Sequence, residues 1–124
     1  DEGDPYREHC ETTASLLAEA LGLESGQWLL GFQSRFGKEV WLQPYTDELL
    51  EGLGGEGVRR LVAACPGFTV DCLETLDEIG REGGEQFRSG GGEELRLVPC
   101  LNAHPVWLDA MAKIVGQESA GWVE

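Results

Sequence analysis

The 124-residue chain has no apolar run approaching the ~20 residues that a membrane-crossing helix needs. The expectation is a soluble protein, at most peripheral to a bilayer. Basic residues are scarce: 9 Lys and Arg stand against 23 Asp and Glu, for a net charge of −14. Nucleic-acid phosphates and anionic lipid headgroups would be repelled, so neither is an expected electrostatic partner. Cationic ligands, divalent metals among them, are compatible with this balance. The four cysteines, Cys10, Cys65, Cys72 and Cys100, contain no C-x-x-C pair. Zinc and iron–sulfur sites usually show tighter spacing, so reduced and mostly buried thiols are expected rather than a cluster. An initiating Met and a signal peptide are lacking too, and "DEGDPY" at the start reads as the middle of a longer chain.

What is present is a globular composition, 41% hydrophobic and 26% charged. Asp4 followed by Pro5 is a helix start, and Tyr6, Cys10, Ala14, Leu17 and Leu21 recur at helical spacing up to Gly22. "QWLLGFQS" (27–34) is a nearly continuous apolar run, which predicts a strand covered on both faces. "PYTDELLEGL" predicts a helix capped by Thr46, with Asp47 and Glu48 at its positive end. "VRRLVAAC" predicts the next strand, stopped by Pro66. An acidic helix follows from Asp71 to about Arg81, with Leu73, Leu76 and Ile79 facing the sheet. "ELRLVP" is a third strand, and Pro105 opens a last helix whose Trp107, Ala110, Met111 and Ile114 form a core stripe. The order α-β-α-β-α-β-α predicts a three-layer α/β domain with a parallel sheet. Such sheets bind ligands at the carboxyl ends of their strands.

"GLGGEG" (52–57) matches the dinucleotide pattern G-x-G-x-x-G but sits between a helix and a strand, the reverse of the order that phosphate binding needs. It is expected to be a flexible connection, and the glycines of "GREGG" and "SGGGEE" to loosen the end of the acidic helix. His9 lies within a helix, and His104 is placed to cap the last one; neither has a nucleophile or a metal-spaced partner nearby. Trp41, close to Phe36, Arg35 and Lys38, either closes the core or forms one wall of a flat apolar site. Glu74, Glu78 and Glu82 form a ridge at steps of four, with Asp71 one turn earlier. Like charges at that spacing destabilise a helix unless solvent, a cation or shared protons relieve them. A solvated face and a site handling protons or metal ions both fit, and the ridge begins at a strand end, just after the Pro66-Gly67-Phe68 turn.

"FQSRFGKEVWLQPYTDE" and "CPGFTVDCLETLDEI", with "DEGDPY" and "VPCLNAHPVW" in the same order, resemble the ferrochelatase family, which inserts ferrous iron into protoporphyrin IX. The resemblance covers essentially the whole chain. It implies the C-terminal lobe (1–124, with 117–124 as a tail) of a two-lobed, chelatase-like α/β protein, one flavodoxin- or Rossmann-like half. Glu74 then matches the catalytic Glu, Glu78 is implied as a second catalytic acid, and Glu74, Glu78 and Glu82 are implied as the metal-handling groups. Trp41 and Phe68 match neighbours of the macrocycle, with Gln33, Ser34 and Arg35 beside them. The family's opposing His falls before Gly3–Tyr6, and neither His9 nor His104 aligns with it. Cys72 stands where many members carry His. Fe2+ is implied as substrate with no prosthetic group, and the location as cytoplasmic, with peripheral contact to the inner membrane left open.

The chemistry suits those residue types. Metallation removes two pyrrole protons and delivers Fe2+ to four nitrogens. A near-neutral imidazole can accept protons, and carboxylate oxygen holds iron weakly enough to release it. The rival readings are a non-catalytic acidic interaction module and a chelatase acting on another tetrapyrrole.

Overall fold

The computed structural model describes residues 3–33 and 40–122. Its elements are helix α1 (Tyr6–Ala20), helix α2 (Thr46–Gly55), strand β1 (Arg60–Ala63), a π-helix (Glu74–Gly83) running directly into helix α3 (Gly84–Ser89), strand β2 (Glu94–Leu97) and helix α4 (Pro105–Glu118). Strands β1 and β2 pair in parallel, Arg60 opposite Glu94 through Ala63 opposite Leu97. The chain is therefore α/β with a parallel sheet, and the π-helix and α3 form the crossover. Proline accounts for the strand ends, since Pro66 and Pro99 cannot donate to a ladder.

Several expectations change. The run 27–34 contributes a single bridge, Phe32 to Tyr45, in place of a strand. On the sheet, Leu61, Ala63, Leu95 and Leu97 are half-buried while Arg60, Val62, Glu94 and Arg96 are exposed. Among the described residues one face of the sheet is covered, so these residues build two layers where three were expected.

The acidic helix departs from α geometry. Its turns close i→i+5 and are wider than α turns by about one residue, so the buried column is Thr75, Ile79 and Gly83, at steps of four. Leu73 and Leu76, expected on the core stripe, are 77% and 56% exposed. The step of four also sets the acids Glu74, Glu78 and Glu82 in a column beside the buried one, along the edge of the core.

That core is centred on Phe87 and Thr75, both fully buried, with Leu50, Ile79 and Phe32 around them. The glycines expected to loosen the chain let its backbones meet instead. A Cβ on Gly54 in α2 would lie 2.7 Å from the Phe87 carbonyl oxygen, and one on Gly83 would lie 2.8 Å from Leu50 Cδ1. Gly54 also ends the dinucleotide reading, because "GLGG" lies inside α2 and packs against residues 87–92.

Helix α1 starts as expected, with Asp4 Oδ1 accepting the Tyr6 N–H at 2.9 Å. Arg7 anchors it, donating to the Gln43 carbonyl at 2.6 Å and lying 5.2 Å over the Phe32 ring. Its stripe is only partly covered: Cys10 and Ala14 are half-buried, Tyr6, Leu17 and Leu21 exposed. The stripe of α4 behaves likewise, with Trp107 and Ala110 half-buried and Met111 and Ile114 exposed. Neither Thr46 nor His104 makes a side-chain capping bond; α2 begins at Thr46 itself, and Glu48 N–H turns to Asp47 Oδ1 at 3.0 Å.

Candidate active site

The site is assembled where β1 and β2 end. After β1 the chain turns at Pro66-Gly67-Phe68, Phe68 N–H reaching the Cys65 carbonyl at 3.0 Å, and enters the π-helix. Leu76 N–H bonds the Cys72 carbonyl at 2.9 Å as the first turn closes. Glu74 emerges from that turn half-buried. The Cys72 thiol and the residue's own backbone N–H donate to its carboxylate and hold its pKa below the usual value.

Gln33 reaches this acid from the segment before α2. Its Nε2 donates to the Glu74 carbonyl oxygen at 2.9 Å and to Glu78 Oε2 at 3.4 Å. Three residues singled out from sequence, Gln33, Glu74 and Glu78, therefore meet in space. Glu82 lies further along the ridge, exposed, with Arg81 Nη2 3.0 Å from its Oε1. Arg81 also forks onto Asp77, at 2.6 Å and 3.1 Å, and comes within 3.6 Å of Glu85. This one guanidinium supplies part of the relief that a row of like charges needs. It holds Asp77 below the ordinary carboxylate range.

A cleft of about 350 Å³ opens beside the ridge, between Gln33, Phe32, Asp47, Leu50, Glu78 and Glu82. It is at the small end for ligand sites, and Glu74 is not in its wall. A second recess of about 390 Å³, lined by Glu51, Glu82, Glu85, Gln86 and Ser89, has no aromatic wall. Phe68 is half-buried in its turn, and Trp41 is exposed on the loop before α2. Ser34 and Arg35 lie outside the described residues. His9 and His104 are both exposed, on α1 and before α4. Among the described residues no three His, Cys, Asp or Glu side chains gather as a cage for a metal ion. The acids form a row.

Sequence reasoning placed Asp71 in that row, and its surroundings differ. Asp71 Oδ1 accepts from Cys100 N–H at 3.2 Å and Thr75 Oγ1 at 3.1 Å, and Oδ2 accepts from Asn102 Nδ2 at 2.8 Å. These donors, Asn102 first, keep its carboxyl below the ordinary range. Asn102, Cys100 and Thr75 had no local signal, because two of the three lie about thirty residues from their partner. The cysteines are free and half-buried, less covered than expected. Burial pushes the Cys65 thiol up to about 11, helped by nearby Cys100, Asp71 and Cys72. Three thiols that look scattered in sequence share one neighbourhood.

The chain is of the α/β class with a parallel sheet, in which ligands bind at the carboxyl ends of the strands. The family model of ferrochelatase matches residues 1–119, and the chain belongs to the ferrochelatase family. It is 53% identical to the ferrochelatase of Chromobacterium violaceum over 124 residues, all of this chain and 34% of that protein. It is 51% identical to the Alcanivorax borkumensis ferrochelatase over 121 residues (98% of this chain, 36% of that protein). For Marinobacter nauticus the identity is 52% over 120 residues (97% and 32%). The chain spans about a third of the length of these curated relatives.

Proposed function

We propose that the protein carrying this chain is a lyase that inserts Fe2+ into protoporphyrin IX to form protoheme, and that residues 1–124 are its C-terminal lobe. The observation that carries this reading is Glu74, a half-buried acid just after a parallel strand whose backbone carbonyl is held by Gln33, in a chain of the ferrochelatase family. In the reaction two pyrrole N–H protons leave and Fe2+ takes their place on four nitrogens. Glu74 receives a proton or hands over iron at the macrocycle, and Glu78, sharing Gln33 with it, is the next station outward. Glu82 stands at the outer end, where exposure and Arg81 favour brief occupancy. A row of carboxylates at steps of four suits cargo that must move on, since oxygen ligands hold iron weakly enough to release it.

Trp41 and Phe68 supply apolar walls for the macrocycle, with Gln33, Ser34 and Arg35 at its polar edge. The imidazole opposing Glu74 is assigned to another part of the protein, because neither His9 nor His104 aligns with the family's His. Fe2+ is substrate, and no prosthetic group is proposed. The reaction is assigned to the cytoplasm, with peripheral contact at the inner membrane; no described helix is long and apolar enough to cross a bilayer.

The test is Glu74→Gln in the intact protein, followed by porphyrin absorbance during metal insertion and by fluorescence titration of porphyrin binding. Insertion should fall by about 10²–10⁴-fold, the usual worth of a positioned proton-transfer group, with porphyrin binding retained. Undiminished turnover would remove Glu74 from the mechanism. A wild-type protein that leaves the porphyrin spectrum unchanged would favour a non-catalytic module, and metallation of another tetrapyrrole alone would reassign the substrate.

A further inference from the structure

The outer end of the acid row carries a cation of its own. Arg81 forks onto Asp77, Nε to Oδ1 at 2.6 Å and Nη2 to Oδ2 at 3.1 Å. The same Nη2 lies 3.0 Å from Glu82 Oε1, and Nη1 comes within 3.6 Å of Glu85 Oε1, across the junction with α3. Three acids and one base leave a local charge of −2, against −3 without Arg81. Exposed ion pairs are weak one by one, and these four side chains are 45–60% exposed. A forked guanidinium shared among several acids is the arrangement in which such pairs count. Glu82 also borders open space. It lines both recesses, the one beside Asp47 and Glu78 and the one beside Glu51 and Glu85, and Arg81 lines neither. A cation entering by either recess therefore meets Glu82 with a positive charge already on it.

We propose that Arg81 is a tethered counter-cation that keeps the outer end of the row a weak and transient stop for Fe2+, so that iron passes inward instead of resting there. This rests on the reading of the row as the iron's path. A divalent cation settling on Glu82 must share it with the fixed charge or drive that charge back onto Asp77 and Glu85. Removing a unit charge about 6 Å from a doubly charged ion in a water-like medium tightens its binding about tenfold, or about 3–10-fold once salt screens the pair. Iron on Glu82 is on its way to the macrocycle, so tighter holding there stabilises a ground state. kcat and the KM for Fe2+ then fall together, and kcat/KM changes little. A residue that only props up the helix would lower kcat/KM instead.

The test compares Arg81→Gln with Arg81→Lys in the intact protein. Mn2+ binding is read by electron paramagnetic resonance, and steady-state metallation gives kcat and the KM for Fe2+. At low ionic strength Arg81→Gln should tighten Mn2+ binding about 3–10-fold and lower kcat and KM by that same factor, with kcat/KM within about twofold of wild type. In about 0.5 M KCl the difference in Mn2+ affinity should shrink below about twofold. Arg81→Lys keeps the charge and should stay within about twofold of wild type throughout. Adding Glu82→Gln to Arg81→Gln should cancel the gain in Mn2+ affinity. Unchanged Mn2+ affinity in Arg81→Gln, equal effects of the two substitutions, or a loss of kcat/KM would each overturn the proposal. Wild-type protein that metallates no porphyrin would strike the assigned reaction, and the Mn2+ titration would then judge the counter-cation by itself.

Discussion

Asp71 and Glu74 stand three residues apart at the head of one helix, and the fold treats them in opposite ways. Around Asp71, two loops and a buried hydroxyl converge until the carboxylate is part of the frame. Along the ridge from Glu74 to Glu82 the contacts are more dispersed: Gln33 bonds the Glu74 carbonyl at 2.9 Å and Glu78 Oε2 at 3.4 Å, and Arg81 pairs with Glu82 at 3.0 Å. The difference teaches that an acid whose donors come from two other loops serves to join those loops, whatever its neighbours on the same helix do.

The contrast can be broken most sharply by pairing Glu74→Gln with its neighbour Thr75→Val in the intact protein. Glu74→Gln should remove activity by the orders of magnitude given above with little change in the urea midpoint. Thr75→Val keeps the shape but strands the Cys72 N–H, and should destabilise by about 1–3 kcal/mol. If the two variants exchanged phenotypes, the division between frame and ridge would be wrong. A smaller effect grades the ridge itself. Glu78→Gln should slow metal insertion by about tenfold, and Glu82→Gln, already beside Arg81 and exposed, by less than about threefold. Equal losses at both positions would argue against an inward gradient.

The smallest expected effect concerns pH. The Cys65 thiol is raised from 9.0 to about 11 in the folded chain. Its contribution is therefore full below pH 9 and is lost as pH rises toward 11, where the unfolded thiol ionises and the folded one still resists. Because Cys65 is only half-buried, the loss should be about 1 kcal/mol. Urea midpoints at pH 8 and 10.5 should fall further in wild type than in Cys65→Ala. Asp71 has the opposite sign: its lowered pKa stabilises above the ordinary carboxylate range and is lost as the medium becomes acidic enough to protonate the folded form. A flat alkaline limb in wild type would show that Cys65 is better solvated than its position implies.

Much of this was legible in the residues alone. Proline and glycine punctuation, with helical periodicity, located α1, α2, β1, the acidic helix, β2 and α4, because those signals act over a few neighbouring residues. The ridge Glu74-Glu78-Glu82 was legible as a spacing, and Gln33 as part of a motif. The exposure of Leu73 and Leu76 was not legible. A 3.6-residue period assigns them to the core, and only the wider turn brings Thr75, Ile79 and Gly83 there instead. The glycines were misread for a related reason. In one dimension they signal freedom, but at Gly54 and Gly83 the missing Cβ is space that another segment fills.

By itself the order of amino acids determined the alternation from α2 through β1, the acidic helix and β2 to α4, the parallel α/β class and the presence of an acidic row after a strand. Each of these depends on interactions among near neighbours, or on a crossover long enough to make strands parallel. Tertiary structure alone decided which acid became scaffold. Asp71 meets Cys100 and Asn102 across about thirty residues of chain, and such a meeting is set by how β1 and β2 stack in register, which no local propensity encodes.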